Sequence, residues 1–230
     1  MKPAVLATGF AVTLLFAAVA LLPFQASANA EELPAGSCQD PLVVVDKEYS
    51  LSPLYAPPDL VFIGDYGVPA TGWNGLLREE AAEHLADLVS AAEHEGRELA
   101  VASAHRSFYE QSLAYSSYTE IYGLEAGRVS AMPGHSEHQL GTTVDFTNAS
   151  VGYEILQDFG YTEAAGWLRE NAAEYGFVLS YPEGEEEKTG YVWEPWHYRY
   201  VSVEAAREIR DKKLDARDFL LKEGVRPDCS

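Results

Sequence analysis

The sequence predicts an α+β fold, a single domain in which a small, mostly antiparallel sheet is flanked by helices. Several stretches carry apolar residues at helical spacing, and several short runs are rich in β-branched and aromatic residues. The two kinds alternate without the regular strand-helix-strand rhythm of a parallel sheet. The 230 residues contain no internal repeat, low-complexity tract or Ser/Gly linker.

Residues 1–30 have a lysine near the start, a long apolar run and a small-residue ending, Ala28-Asn29-Ala30. This is the layout of a secretory signal peptide with an A-x-A cleavage site. A secreted or otherwise extracytoplasmic protein is expected. The run from Ala4 to Leu22 is also long enough to span a bilayer, so an uncleaved membrane anchor is the alternative. Residues 31–66 read as an extended N-terminal arm, because short apolar runs there alternate with prolines.

The main domain spans 67–230. Apolar positions Leu76, Leu77, Ala81, Leu85, Leu88, Val89 and Ala92 predict an amphipathic helix over 75–94, ended at Gly96. A short buried strand over 98–104 and a helix over 106–123 follow. A loop rich in Gly and Ser occupies 124–141, and TTVDFT (142–147) predicts a strand. Residues 162–176 predict a helix that runs into a short strand, FVLSY, and 182–190 form an acidic loop. HYRYVS (197–202) predicts the last strand, and a helix continues from Val203 to about Leu221.

The chain carries 16 basic and 36 acidic residues, a formal net charge of −20. Nucleic acid and anionic membrane surfaces would repel such a chain. No protein partner is indicated. The two cysteines, Cys38 and Cys229, lie near the two ends of the mature chain, and in an oxidising compartment they are expected to form a disulfide clasping the termini. A paired thiol is not a zinc ligand, so a metal site would have to be built from histidines and carboxylates.

His84 and His94 fall on the 75–94 helix and read as surface histidines, which leaves His105, His135, His138 and His197. In HSEHQLGTTVD, His138 precedes a glycine turn and Asp145 lies on the following strand, so the two side chains can converge. WEPWHYRY offers Glu194 and His197. Residues three apart on an uninterrupted strand face opposite ways, but a bend at Pro195 could turn both into one cavity. Two histidines, an aspartate and an open fourth position suit a catalytic zinc site. Polar loop residues with a core histidine would give the same pattern. The helical H-E-x-x-H arrangement is absent.

Ser136, His138, Gly141 and Asp145, spaced S-x-H-x(2)-G-x(3)-D, together with Glu194, Trp196 and His197 as E-x-W-H, resemble the VanY-type D-alanyl-D-alanine carboxypeptidases. These belong to a larger group of zinc peptidases that includes the vancomycin-resistance dipeptidases and the hedgehog-like domains. LVVVDKEYSLSPLYAPPDL is similar to that family's N-terminal arm, and SAHRSFYEQ to its substrate-binding segment. The resemblance implies Zn²⁺ held on the sheet by His138, Asp145 and His197, with Glu194 as general base and acid. It also implies Arg106 as the anchor for the substrate's terminal carboxylate, with Ser136 and Gln111 helping to hold the substrate backbone. His135 is left as a pocket-rim residue.

The implied reaction is release of the terminal D-alanine from peptidoglycan stem peptides ending in D-Ala-D-Ala. Rivals are an L,D-carboxypeptidase or an endopeptidase on the same wall peptides, or a non-catalytic zinc module that only binds them. Two departures from the family pattern, Thr143 and Ala104-His105, are expected near the pocket and bear on substrate preference.

Overall fold

The computed structural model describes residues 33–72 and 74–229. The expected signal peptide, residues 1–30, lies outside them. After β1 (Ala35–Ser37), an irregular stretch leads to β2 (Leu60–Phe62), which pairs antiparallel with β3 (Leu76–Arg78). The sequence reading gave Leu76 and Leu77 to the following helix. They belong to β3 instead, and α1 (Glu79–His94) begins only at Glu79. Helical spacing alone could not separate the two, because Leu77 is buried in the same core as Ala81, Leu85, Leu88 and Ala92.

Next come β4 (Ala100–Ser103), α2 (Phe108–Tyr122) and the single-turn α3 (Ala126–Val129). A capping box starts α2: the Ser107 hydroxyl accepts from the Glu110 amide, and the Glu110 carboxylate accepts from the Ser107 amide. The remaining elements are β5 (Thr143–Thr147), α4 (Glu163–Asn171), β6 (Phe177–Leu179), the one-turn α5 (Glu186–Thr189), β7 (His197–Tyr200), α6 (Val203–Asp211), α7 (Ala216–Glu223) and β8 (Arg226–Asp228). The C-terminal helix expected from Val203 to about Leu221 is therefore two helices. Lys213, with φ of 53°, breaks it, and the Asp215 side chain caps the second.

The main sheet has the order β4-β5-β7-β6 and every neighbouring pair is antiparallel. β5 is flanked on both sides and wholly buried, which is why its run of Thr, Val and Phe is so continuous. Val144, Phe146, Tyr198 and Tyr200 pack with α1 and α4 into the principal core. A second pair, β1 with β8, is parallel and joins the two ends of the described chain. Beside it, Cys38 and Cys229 are linked in a disulfide. Residues 33–230 group into one unit. No described helix is long and apolar enough to cross a membrane.

The arm is stitched to the domain rather than merely lying on it. Val43 bridges to Val225, Gln139 donates to the carbonyls of Ser52 and Tyr55, and Asp46 pairs with Arg217 at 2.9 Å. The Lys47 ammonium sits 3.8 Å from the centroid of the Tyr191 ring.

Candidate metal centre

Strand register places the first two functional groups. On β5 and β7, Asp145 lies directly opposite His197, and on β4 Ser103 is paired with Asp145. The third group comes from the 3-10 turn Glu137–Leu140, which ends at Gly141 with φ of +70°. A side chain at Gly141 would also run into Leu60, Pro57 and Arg78, so glycine alone fits there. This turn delivers His138 to the start of β5.

The three side chains meet. His138 Nε2 is 3.2 Å from Asp145 Oδ2, and His197 Nδ1 is 3.3 Å from Asp145 Oδ1. One ligand atom from each lies within 4.8 Å of the others, and all three residues are buried. Glu194 approaches from the side, its Oε2 3.5 Å from His197 Nδ1. The bend expected at Pro195 is a turn ahead of the strand. The His197 amide donates to the Glu194 carbonyl at 3.0 Å, with Pro195 second in the turn, where its fixed φ is favoured.

Both rings are held in one tautomer. His138 Nδ1 donates to the Ala104 carbonyl at 2.6 Å, and His197 Nε2 donates to the Glu137 carboxylate at 2.8 Å. The opposite nitrogens, His138 Nε2 and His197 Nδ1, are thereby the ones available to a metal, both facing Asp145.

Electrostatics match a cation site. Burial works to raise the Asp145 carboxyl, yet His138 and His197 hold it well below the usual carboxylate range. Burial lowers the His197 pKa, while the Asp145 and Glu137 carboxylates beside the ring outweigh that and lift it to about 10, so these carboxylates call for positive charge at this point. Asp145 Oδ1 is buried without a hydrogen-bond partner. Two imidazole nitrogens and a carboxylate with an orphaned oxygen are a donor set that fits zinc. Burial pushes the Glu194 carboxyl up to about 7.

The group opens into a cavity of about 360 Å³, whose walls include Arg106, Gln111, Ser136, Tyr118, Tyr181 and Trp196. Arg106 forms no ion pair among the described residues, and its Nε is buried without a partner, so no salt bridge at the start of α2 occupies it. Its amide donates to the His138 carbonyl at 3.2 Å, tying the start of α2 to the His138 turn. Gln111 reaches the cavity too, but its amide nitrogen is already engaged with Ser130 Oγ and the Ala131 carbonyl. Ser136 is buried on the wall and makes no capping bond to its own turn.

Two sequence readings of the site change. His135 is not on the rim: its Nδ1 bonds the Asp46 carbonyl of the arm at 2.7 Å. Thr143 is buried in β5 and does not line the cavity, whereas His105 does. Trp196 alone of Trp193, Trp196 and Tyr198 lines the cavity; Trp193 packs against Tyr161, and Tyr198 against Phe146 in the core. The acidic loop contributes only its flanks, Tyr181 and Tyr191. Glu137 went unremarked in the sequence, and the one hint was an acidic residue beside a ligand in S-E-H.

Against known proteins, the family model VanY, D-alanyl-D-alanine carboxypeptidase, matches residues 74–203. The chain belongs to the VanY family. Among relatives, a protein named putative carboxypeptidase YodJ, of Bacillus subtilis (strain 168), is 37% identical over 183 residues, 79% of this chain and 67% of its own. The chain spans 53 to 58% of the length of two enterococcal D-alanyl-D-alanine carboxypeptidases. Among solved structures, the LD-carboxypeptidase LdcB is similar with a TM-score of 0.75 and 35% identity, covering 83% of this chain and 89% of that one. The vancomycin-resistance D,D-pentapeptidase VanY, solved in complex with Zn(II), gives a TM-score of 0.63 at 29% identity over 78% and 98%.

Proposed function

We propose that the protein is an extracytoplasmic zinc carboxypeptidase that removes the terminal D-alanine from peptidoglycan stem peptides ending in D-Ala-D-Ala. The observation that carries this reading is the convergence of His138, Asp145 and His197 beside Glu194, in a cavity where Arg106 has no ion-pair partner. His138 and His197 would hold the zinc through Nε2 and Nδ1, and Asp145 through its carboxylate. Zinc bound there supplies Lewis-acid polarisation of the scissile carbonyl and acidifies a water.

The chain's own groups do the rest. Glu194 accepts a proton as water adds to the carbonyl carbon, and returns it to the amine nitrogen as the C–N bond breaks. A carboxyl held near neutrality by burial suits both halves of that exchange. The Arg106 guanidinium binds the substrate's terminal carboxylate, which restricts cleavage to the last bond. Ser136 is placed to meet the substrate backbone, and Gln111 offers it the carbonyl oxygen that no described group engages. We assign residues 1–30 to a signal peptide, 31–66 to the arm and 67–230 to the catalytic domain.

The similarity to LdcB favours a second reading in which the same centre cleaves an L,D bond in a tetrapeptide stem. D-Alanine release separates the two, using a pentapeptide ending in D-Ala-D-Ala beside a tetrapeptide ending in L-Lys-D-Ala. Release from the first, lost with chelator and restored by zinc, supports the D,D reading; release from the second alone replaces it. No release from either, by a protein that still holds zinc, would leave a peptide-binding module.

A further inference from the structure

We propose that Glu137 is a positioning residue of the metal centre, and that through Arg199 it couples the centre to the N-terminal arm. This role rests on the metal-centre reading given above.

Glu137 divides its two oxygens. Oε2 accepts from His197 Nε2 at 2.8 Å, and Oε1 accepts from Arg199 Nη1 at 2.9 Å. Arg199 stands two residues beyond His197 on β7 and so points to the same face of the strand. Its other terminal nitrogen, Nη2, donates to the Pro41 carbonyl at 2.9 Å and to the Val43 carbonyl at 2.6 Å. Four links therefore run from the arm backbone to Arg199, to Glu137, to His197 and on to the ligand point at Asp145. Every side chain in the series is buried, Arg199 to 1% exposure.

A buried ion pair is a weak way to gain stability, because desolvation offsets most of the attraction. What this one gains is direction. His197 can present Nδ1 to a metal only if Nε2 carries the hydrogen, and an ionised carboxylate at Nε2 enforces that choice. His138 receives the same service from the Ala104 carbonyl, a backbone group that no substitution removes. Adjacent residues of one turn thus serve the centre in opposite senses: His138 faces it from inside, and Glu137 braces the other histidine from outside.

The pairing also gives the arm a chemical task. Arg199 spans Glu137 and two arm carbonyls at once, so the stretch around Pro41–Val43 sets where the Glu137 carboxylate stands.

The test uses purified wild-type protein, E137Q, and the double variant E137M/R199M, which removes both charges together and leaves neither buried unpaired. Zinc affinity is measured by competition with a chromophoric chelator, and ligand geometry by the visible absorption of the Co²⁺ form. Both readouts respond to how His197 is presented, whereas a purely structural role would show in the melting temperature alone. Loss of an outer partner of a ligating histidine lowers metal affinity about 10- to 100-fold, and that loss, with an altered cobalt spectrum, is expected for E137Q. Wild-type affinity and spectrum in E137Q would overturn the proposal. If E137Q does not fold, the double variant decides in the same way: weakened zinc binding supports the role, and undiminished binding ends it. Failure of the wild-type protein itself to bind zinc would bring down the metal-centre reading, and this role with it.

Discussion

Replacing Arg106 with alanine separates recognition from framework. In the structure the guanidinium lines the cavity, forms no ion pair among the described residues, and keeps a buried Nε without a partner. Its binding capacity is therefore unspent, and truncation orphans no acidic partner. Loss of fold stability should stay within about 1 kcal/mol. Hydrogen bonds to a charged group are worth about 1.5–3 kcal/mol each in net terms. At about 1.4 kcal/mol per tenfold, removing one such interaction with a terminal carboxylate lowers kcat/KM about 10- to 150-fold. An amidated C-terminus keeps one acceptor oxygen but loses the charge and the bidentate pairing, so the wild-type enzyme should prefer the free acid and R106A should lose the preference. The assay compares kcat/KM for one peptide as free acid and as amide, in both proteins, with a thermal melt of each. Equal losses on acid and amide, or a drop of several degrees in Tm, would show that Arg106 serves the framework and would refute the assignment.

Other outcomes follow from the same geometry. Glu194→Gln should retain zinc, measured by metal analysis, while kcat falls about 10²- to 10⁴-fold, the usual contribution of a positioned acid-base group. His138→Ala and Asp145→Ala should each lose the tightly bound equivalent of zinc, and chelator should silence the wild-type protein until zinc is returned. Serine at both Cys38 and Cys229 opens a loop closed across 191 positions, and the chain-entropy relation sets the loss at up to about 5 kcal/mol in denaturant titration. Phe146→Ala, a fully buried ring in β5, should cost about 3–5 kcal/mol of folding stability with zinc stoichiometry preserved.

The candidate ligand positions were legible in the sequence because they sit on short local devices. A glycine turn feeds a β-branched strand at His138–Asp145, and a proline turn feeds another at Glu194–His197. Both strands form where β-branched and aromatic content placed them. The three-residue strands were less visible: Leu76–Arg78 borrows the apolar spacing of α1, and Arg226–Asp228 exists only because Ala35–Ser37 lies alongside it. Lys213 gave no sign that it would take a left-handed conformation and divide the last helix. Glu137 was hidden for a different reason. Its partners are 60 and 62 residues away in the chain, so no local pattern marks it. His135 was misplaced because proximity to His138 in sequence says nothing of the arm, which takes its ring instead.

The disulfide between Cys38 and Cys229 makes the domain nearly a closed ring. A protease that cuts once in the exposed part of the acidic loop, at Glu183 or Gly184, would leave His138 and Asp145 on one piece and Glu194 and His197 on the other. The two pieces would still be one covalent molecule, with β5 and β7 in register between them. Such a molecule is nicked rather than truncated, running as a single species on a gel until a reductant is added. Damage of that kind need not disperse His138, Asp145, Glu194 and His197.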